Sequence, residues 1–222
     1  MYVAIPKELN NLEPRVAATP GSVKQIIKSG LDVYVESGAG LKSFISDDAY
    51  QSSGATIINS SKELLNNADI TLKVLSPSNE EIDLLKEKSV FVSLCQTTRE
   101  LETVRNLTKK KISAFSMHLI PRTTLAQKMD ALSSQANIAG YKAVLIAASR
   151  LGVYMPLLMT AAGTIRPSKV LILGAGVAGL QAIATAKRLG AQVEAFDVRP
   201  VVKEQVESLG AKFIEVESES DD

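Results

Sequence analysis

Short apolar runs alternate with segments of helical periodicity along the first 120 residues of the chain. The apolar runs have the length of strands and lie at Tyr2–Ile5, Asp32–Glu36, Thr56–Ile58, Ile70–Val74, Val90–Leu94 and Ile112–Met117. The helical patterns between them lie near residues 20–29, 47–53, 61–66, 79–87 and 99–110. Such alternation predicts a mostly parallel sheet with helices on both of its faces.

A long helix and a second α/β pattern follow this region. Residues 131–151 are rich in small side chains, which predicts a helix that approaches another backbone closely. The uninterrupted apolar run Val170–Leu173 is typical of a parallel strand buried on both faces. Helical spacing then continues to Leu189, and Gly190 is suited to end that helix. The remaining predicted strands are Val193–Phe196 and Lys212–Val216.

The turn after Val170–Leu173 carries the pattern G-x-G-x-x-G, which is typical of a dinucleotide site between a strand and a helix. Gly174 would permit the tight turn, Gly176 would let a pyrophosphate approach the backbone, and Gly179 would let the helix pack on the strand. The pyrophosphate would meet backbone N–H groups at the positive end of the helix dipole. The other residues of this predicted loop and first helical turn are Ala175, Val177 and Ala178.

An acidic residue, Asp197, stands at the end of the next predicted strand. Its carboxylate can accept hydrogen bonds from the adenosine ribose hydroxyls and would repel the 2′-phosphate of NADP, so the pattern favours NAD. Arg199 is the main objection to this preference, because an arginine there could attract a phosphate; Val198 lies between the two. The alternative interpretation is a glycine-rich turn without a ligand, but the strand, helix and spaced acid together favour nucleotide binding.

Composition narrows the class of protein further. The 222 residues are 45% hydrophobic, which is enough for one large domain or two small ones. The net charge of +1 gives no electrostatic case for nucleic acid binding. The single cysteine, Cys95, excludes an internal disulfide framework and suits a reducing compartment. We expect no metal site, no membrane-spanning segment and neither a signal peptide nor a transit peptide.

The segment from Pro121 to Tyr141 closely resembles the NAD(H)-binding component of the proton-translocating NAD(P) transhydrogenases. The segments 159–164, 179–191 and 203–213 resemble the same component. The opening segments 4–8 and 15–20 are similar to a wider group that includes alanine dehydrogenase. The resemblance covers essentially the whole chain.

This resemblance implies that the chain binds NADH at a membrane surface and passes hydride to NADP⁺ held on another component. A separate membrane-spanning component would couple the transfer to proton translocation. The resemblance further implies a homodimer when the protein is complete, held peripherally at the cytoplasmic face of a bacterial inner membrane.

The resemblance also assigns residues to the two ends of the cofactor. Gly174, Gly176 and Gly179 would hold the pyrophosphate and Asp197 the adenosine ribose. The loop residues that would hold the nicotinamide end are Arg122, Gln127, Asp130 and Ser133. Hydride transfer between two nicotinamide rings needs positioning rather than proton abstraction, so we assign no catalytic residue, and Gln127 and Asp130 would lie closest to the chemistry.

Three of these loop residues have simpler interpretations. Asp130 could cap the long helix, Ser133 could serve its first turn, and Arg122 could be a solvated charge.

An alanine dehydrogenase activity is the alternative enzyme interpretation. Such an enzyme needs cations for the substrate carboxylate and an acid–base histidine. Arg15 and Lys73 match the cationic positions, and either could be paired with Glu8. The position of the family's histidine falls at or beside Leu94, however, and the only histidine is His118. We expect His118 at a strand end and assign it no catalytic role.

The three strands predicted after residue 165 make only one half of a Rossmann dinucleotide-binding domain, which has two βαβαβ halves. We therefore expect two parallel-sheet α/β units joined by a long helix: a Rossmann-like N-terminal domain at 1–130, a linking helix and connector at 131–164, and a truncated NAD-binding domain at 165–222. The first central strand would have an unpaired apolar edge. The chain alone would bind NADH weakly or not at all, and an inactive NAD-binding fragment is a further alternative.

Overall fold

The computed structural model of the chain describes residues 1–216. These residues fall into two compact units, one spanning Met1–Met129 and the other beginning at Asp130. No helix among residues 1–216 combines the length and the apolar character that crossing a bilayer requires.

The first unit contains a six-stranded sheet in which every neighbouring pair of strands is parallel. The strands are β1 (Tyr2–Ile5), β2 (Asp32–Glu36), β3 (Thr56–Ile58), β4 (Ile70–Leu72), β5 (Val90–Ser93) and β6 (Ser113–Ser116). The helices are α1 (Pro20–Lys28), α2 (Asp47–Gln51), α3 (Ser61–Asn67), α4 (Asn79–Leu84) and α5 (Leu101–Lys109). The strand order is β3-β2-β1-β4-β5-β6. The predicted parallel sheet is confirmed, although β4, β5 and β6 are shorter than expected.

Local sequence explains where several of these helices begin. The hydroxyl oxygens of Thr19, Ser46, Ser60 and Ser78 each accept a hydrogen bond from a backbone N–H in the first turn of α1, α2, α3 and α4. At α4 the Glu81 side chain also accepts from the Ser78 N–H, which completes a capping box. The caps satisfy donors that a helix cannot satisfy internally.

The second unit contains a three-stranded parallel sheet with the order β11-β10-β9 and a separate two-stranded antiparallel hairpin. Its helices are α6 (Ala131–Arg150), α7 (Val177–Arg188) and α8 (Lys203–Ser208). Its strands are β7 (Leu158–Thr160), β8 (Gly163–Ile165), β9 (Lys169–Leu173), β10 (Gln192–Phe196) and β11 (Lys212–Phe213).

Two expectations for the second unit are corrected by this structure. The sequence predicts a connector before β9, but the stretch holds the β7–β8 hairpin, in which Leu158 pairs with Ile165. The sequence also predicts a last strand that continues to Val216, but β11 ends at Phe213. Glu215 instead turns to Lys203, whose Nζ lies 2.5 Å from its Oε1.

The strand β9 is buried on one side only. Val170 and Ile172 pack against the core of the second unit, whereas Leu171 and Leu173 are 55% and 75% exposed. Within residues 1–216, β9 pairs with β10 along one edge and with no strand along the other. The expected apolar edge is therefore present, and the expected burial on both faces is not.

The small residues of α6 bring its backbone into contact with α7. A Cβ added at Gly140 would lie 2.0 Å from the carbonyl oxygen of Ala178, far inside van der Waals contact. A side chain of any size at residue 140 would therefore push the two helices apart. This close approach confirms the expectation drawn from the composition of the long helix.

Gly140→Ala is expected to destabilise the second unit by about 1–3 kcal/mol, because the new methyl group meets rigid backbone that cannot yield without moving a helix. This loss outweighs the helix propensity of alanine, which favours the substitution by about 1 kcal/mol. Urea unfolding followed by circular dichroism measures the change. Ser149→Ala, at an exposed position of the same helix, should stay within about 0.5 kcal/mol of the wild type. A Gly140→Ala protein as stable as this control would show that the helices do not touch here.

Candidate functional site

The glycine-rich turn between β9 and α7 has the conformation that its sequence predicts. Gly174 has a φ of +94°, a region that residues with a side chain rarely adopt. Its N–H donates to the carbonyl oxygen of Phe196 at 2.8 Å, which ties the turn to the end of β10. A Cβ at Gly179 would lie 1.8 Å from the carbonyl oxygen of Gly174. The helix can therefore pack on the turn only because residue 179 is glycine.

The N-terminus of α7 is open. Gly176 is its N-cap residue and provides no side-chain hydrogen bond to the first turn, which begins with Val177 and Ala178. A Cβ at Gly176 would have a single neighbour within 4.0 Å, the Nη2 atom of Arg199. The uncapped N–H groups and the helix dipole of this 12-residue helix suit an anion such as a phosphate.

Asp197 lies directly after β10 and connects the acid to the glycine-rich turn. Its Oδ2 accepts from the backbone N–H of Ala175 at 2.7 Å, and its Oδ1 accepts from the backbone N–H of Arg199 at 2.9 Å. The Arg199 guanidinium adds two bonds, from Nε to Oδ1 at 3.0 Å and from Nη2 to Oδ2 at 3.1 Å. The Asp197 side chain is 6% exposed and the Arg199 side chain 55%.

These contacts determine the charge of the pair. The hydrogen bond from the Arg199 side chain, followed by those from the backbone N–H groups of Arg199 and Ala175, holds the pKa of Asp197 far below its usual range. The same contact raises the pKa of Arg199. Both groups are therefore charged at neutral pH. Arg199, which on sequence grounds is an objection to an NAD preference, is bound to Asp197 in this structure.

A cavity of about 530 Å³ lies beside Asp197. Its lining includes Val198, Pro200, Phe213 and Ile214, so much of its wall is apolar. It lies at the carboxyl ends of β10 and β11, the edge at which parallel α/β sheets bind their ligands.

Asp130 and Ser133 lie together at the start of α6. Asp130 is the N-cap residue, and its Oδ1 accepts from the backbone N–H of Ser133 at 2.9 Å. The Ser133 hydroxyl donates to Asp130 Oδ2 at 2.6 Å. The capping interpretation is thus confirmed for Asp130. Arg122 and Gln127 are exposed residues of the first unit, and Gln127 begins a short 3-10 turn.

The two cations of the dehydrogenase alternative are paired inside the first unit. Lys73 Nζ lies 2.6 Å from Glu81 Oε1 and 3.7 Å from Glu8 Oε2, and these three side chains are at most 8% exposed. Arg15 forms two side-chain hydrogen bonds to Glu13, at 2.8 Å and 2.7 Å. The suggested pairing with Glu8 is confirmed for Lys73. A substrate carboxylate would have to compete with the chain's own carboxylates for both cations.

Glu8 and Glu81 are held by the backbone as well as by Lys73. Glu8 Oε1 accepts from the Val74 N–H at 2.6 Å, yet burial, only partly offset by Lys73, raises the pKa of Glu8. Sequence reasoning did not identify Glu81 as the partner of Lys73. The spacing of Ser78 and Glu81 marks a capping box, but it does not show that the second oxygen of Glu81 reaches Lys73.

The remaining expectations concern histidine and metals. His118 is exposed and lies in the 3-10 turn Met117–Leu119 that follows β6, which confirms its expected place at a strand end. Among residues 1–216, no group of histidine, cysteine, aspartate or glutamate side chains is arranged to hold a metal ion.

Comparison with known proteins identifies relatives over the whole chain. Residues 4–139 match the family model "Alanine dehydrogenase/PNT, N-terminal domain", and residues 143–222 match the corresponding C-terminal domain. The first of the alpha-subunit polypeptides of NAD(P) transhydrogenase from Rhodospirillum rubrum is 49% identical over 225 aligned residues, which cover 99% of this chain and 59% of the relative. Alanine dehydrogenase of Methanococcus maripaludis is 31% identical, over 89% of this chain and 53% of that protein.

A solved structure supports the same relationship. The transhydrogenase from Sinorhizobium meliloti superimposes with a TM-score of 0.94 and 47% identity, over 97% of this chain and 64% of that chain. The chain thus spans about three-fifths of the length of these transhydrogenase relatives. The two matched family models and the shared fold show that the chain belongs to the alanine dehydrogenase/PNT family.

Proposed function

We propose that the chain is the NAD(H)-binding part of a proton-translocating NAD(P) transhydrogenase, in which NADH donates hydride to NADP⁺ held on another component. The observation that carries this proposal is the glycine-rich turn, with the uncapped N-terminus of α7 beside the buried carboxylate of Asp197. The identity of 49% to a transhydrogenase subunit, along almost the whole chain, supports it.

The adenosine half of the cofactor fits the residues around this turn. The pyrophosphate would bind over Gly174, Gly176 and Gly179, where the space beside Gly176 is open. The ribose would bind Asp197, and the apolar cavity that includes Val198 and Ile214 offers room for the adenine. From their match to the family, we assign the nicotinamide end to Arg122, Gln127, Asp130 and Ser133.

The chemistry asks little of the protein beyond position. The bound NADH supplies the hydride, so the chain needs no acid, base or nucleophile. Its residues bind the nucleotide, exclude water and hold the donor ring close to the acceptor, at about 3–3.5 Å between reacting atoms. Such a role agrees with the absence of any assigned catalytic residue.

The partners and location follow from the same proposal. We infer that the chain works with an NADP(H)-binding component and a membrane-spanning component, at the cytoplasmic face of a bacterial inner membrane. We also propose that the complete protein is a homodimer. The internal pairing of Arg15 and Lys73 disfavours alanine dehydrogenase activity, because neither cation is available to a keto acid without losing its carboxylate partner.

Reconstitution tests the activity directly. Mixed with complementary transhydrogenase components, the chain is expected to support NADH-dependent reduction of an NADP⁺ analogue above the rate measured without the chain. The chain alone should give no alanine-dependent reduction of NAD⁺. Normal NADH binding without turnover in the complete mixture would contradict the transhydrogenase proposal, and alanine-dependent turnover would favour the dehydrogenase.

The 222-residue chain by itself is expected to bind NADH with a dissociation constant weaker than the low micromolar range. Its described residues form one three-stranded half of a dinucleotide-binding sheet, so part of the wall around the cofactor is missing. Fluorescence titration of NADH measures this constant. A nanomolar or low-micromolar value would show that the expectation is wrong.

Gly176→Leu is expected to weaken binding of ADP-ribose at least about tenfold, because the new side chain fills the space through which the pyrophosphate reaches the backbone. The fold should not change, since no backbone atom lies within 4 Å of the new Cβ position. Gly152→Leu is the matched control, with an equally open site at the end of α6. Amide chemical shifts followed by NMR measure both affinities, and equal affinities would place the pyrophosphate elsewhere.

A further inference from the structure

The carboxylate of Asp197 is saturated with hydrogen bonds. A carboxylate offers about four acceptor positions, two on each oxygen. Oδ2 accepts from Ala175 N and Arg199 Nη2, and Oδ1 accepts from Arg199 N and Arg199 Nε. All four positions are therefore occupied by the chain itself.

The four donors fall into two kinds. The two backbone N–H groups are fixed by the turn after β9 and by the chain leaving β10, and they cannot leave without deforming the fold. The other two belong to the guanidinium of Arg199, whose side chain is 55% exposed and can rotate into water. Only the guanidinium can give up its places, and it holds one on each carboxylate oxygen.

We propose that the Arg199 guanidinium is a built-in competitor of the adenosine ribose, and that it must leave Asp197 before a nucleotide can bind there. This proposal rests on the proposed function, which places the ribose at Asp197. Two neighbouring ribose hydroxyls need two acceptor positions, and departure of the guanidinium frees two. The Nη2 atom lies 4.0 Å from the Cβ position of Gly176, so the same group also lies beside the path of the pyrophosphate.

The competition has a consequence for the choice between nucleotides. While Arg199 is paired, it neutralises Asp197 and reduces the repulsion that the carboxylate exerts on a 2′-phosphate. Without Arg199, the negative charge of Asp197 faces the ligand alone. Removal of the guanidinium should therefore improve binding of a free ribose and impair binding of a 2′-phosphorylated ribose, two opposite changes that a general loss of structure would not produce.

Arg199→Met tests the proposal, because methionine keeps most of the apolar length and loses every donor. The probes are ADP-ribose and 2′-phospho-ADP-ribose, titrated into the 222-residue chain and followed by amide shifts, which remain measurable at millimolar affinity. We expect ADP-ribose to bind about two- to fivefold more tightly than to the wild type, the range for release of a half-exposed ion pair. We expect 2′-phospho-ADP-ribose to bind more weakly.

Two further variants sharpen the result. Arg199→Lys keeps the charge but cannot occupy both oxygens in the same fork, so its ADP-ribose affinity should lie between those of the wild type and Arg199→Met. Arg188→Met removes an exposed arginine at the other end of α7 and should leave both affinities unchanged. In the ligand-free wild type, the Arg199 Nε–H signal should be protected from exchange, and this protection should disappear when ADP-ribose binds.

The possible outcomes separate the two proposals. If the wild type binds ADP-ribose and Arg199→Met binds it equally or more weakly, the competition is refuted while the nucleotide site stands. Binding by Arg199→Met alone would support a competitor strong enough to close the site. If no variant binds at millimolar concentration, the nucleotide site itself is refuted, and the proposed function with it.

Discussion

The first turn of α7 touches two other backbone segments at once, and the second unit is arranged around this contact. On one side Gly179 lies against the carbonyl of Gly174, and on the other Ala178 offers its carbonyl to Gly140 of α6. Because neither glycine has a side chain, the helix comes close enough for its N-terminal N–H groups to face the turn after β9. The long helix α6 therefore does more than connect two regions, since it fixes the helix whose N-terminus is the candidate phosphate site.

Ion pairs in the two units solve the same problem in different settings. Lys73 is enclosed with Glu8 and Glu81, and a buried charge without such partners would cost several kcal/mol. Asp197 is also buried, but its arginine partner is half exposed and held at a surface. The first arrangement is rigid and inaccessible, whereas the second can open without disturbing the core.

Sequence predicted the parallel sheet because alternation of strand and helix is a strong signal, and it predicted the role of each glycine from a spacing with a known geometry. It missed the β7–β8 hairpin because the turn residues Ala161 and Ala162 carry no turn signal and the strands are exposed and three residues long. It did not pair Arg199 with Asp197, since a separation of two residues brings side chains together only when the chain bends on leaving a strand. Partners distant in sequence, such as Lys73 and Glu81, need the fold itself.

The pairing of Lys73 and Arg15 affects how activity is inferred within this family. A residue-by-residue comparison would score both cations as present and would transfer a keto-acid site to this protein. Whether a cation can bind an outside anion depends on its electrostatic neighbours, and here the neighbours are Glu81, Glu8 and Glu13. The identity of a residue is thus an incomplete descriptor of its chemistry, and the carboxylates around it belong in any signature used to separate dehydrogenases from transhydrogenases.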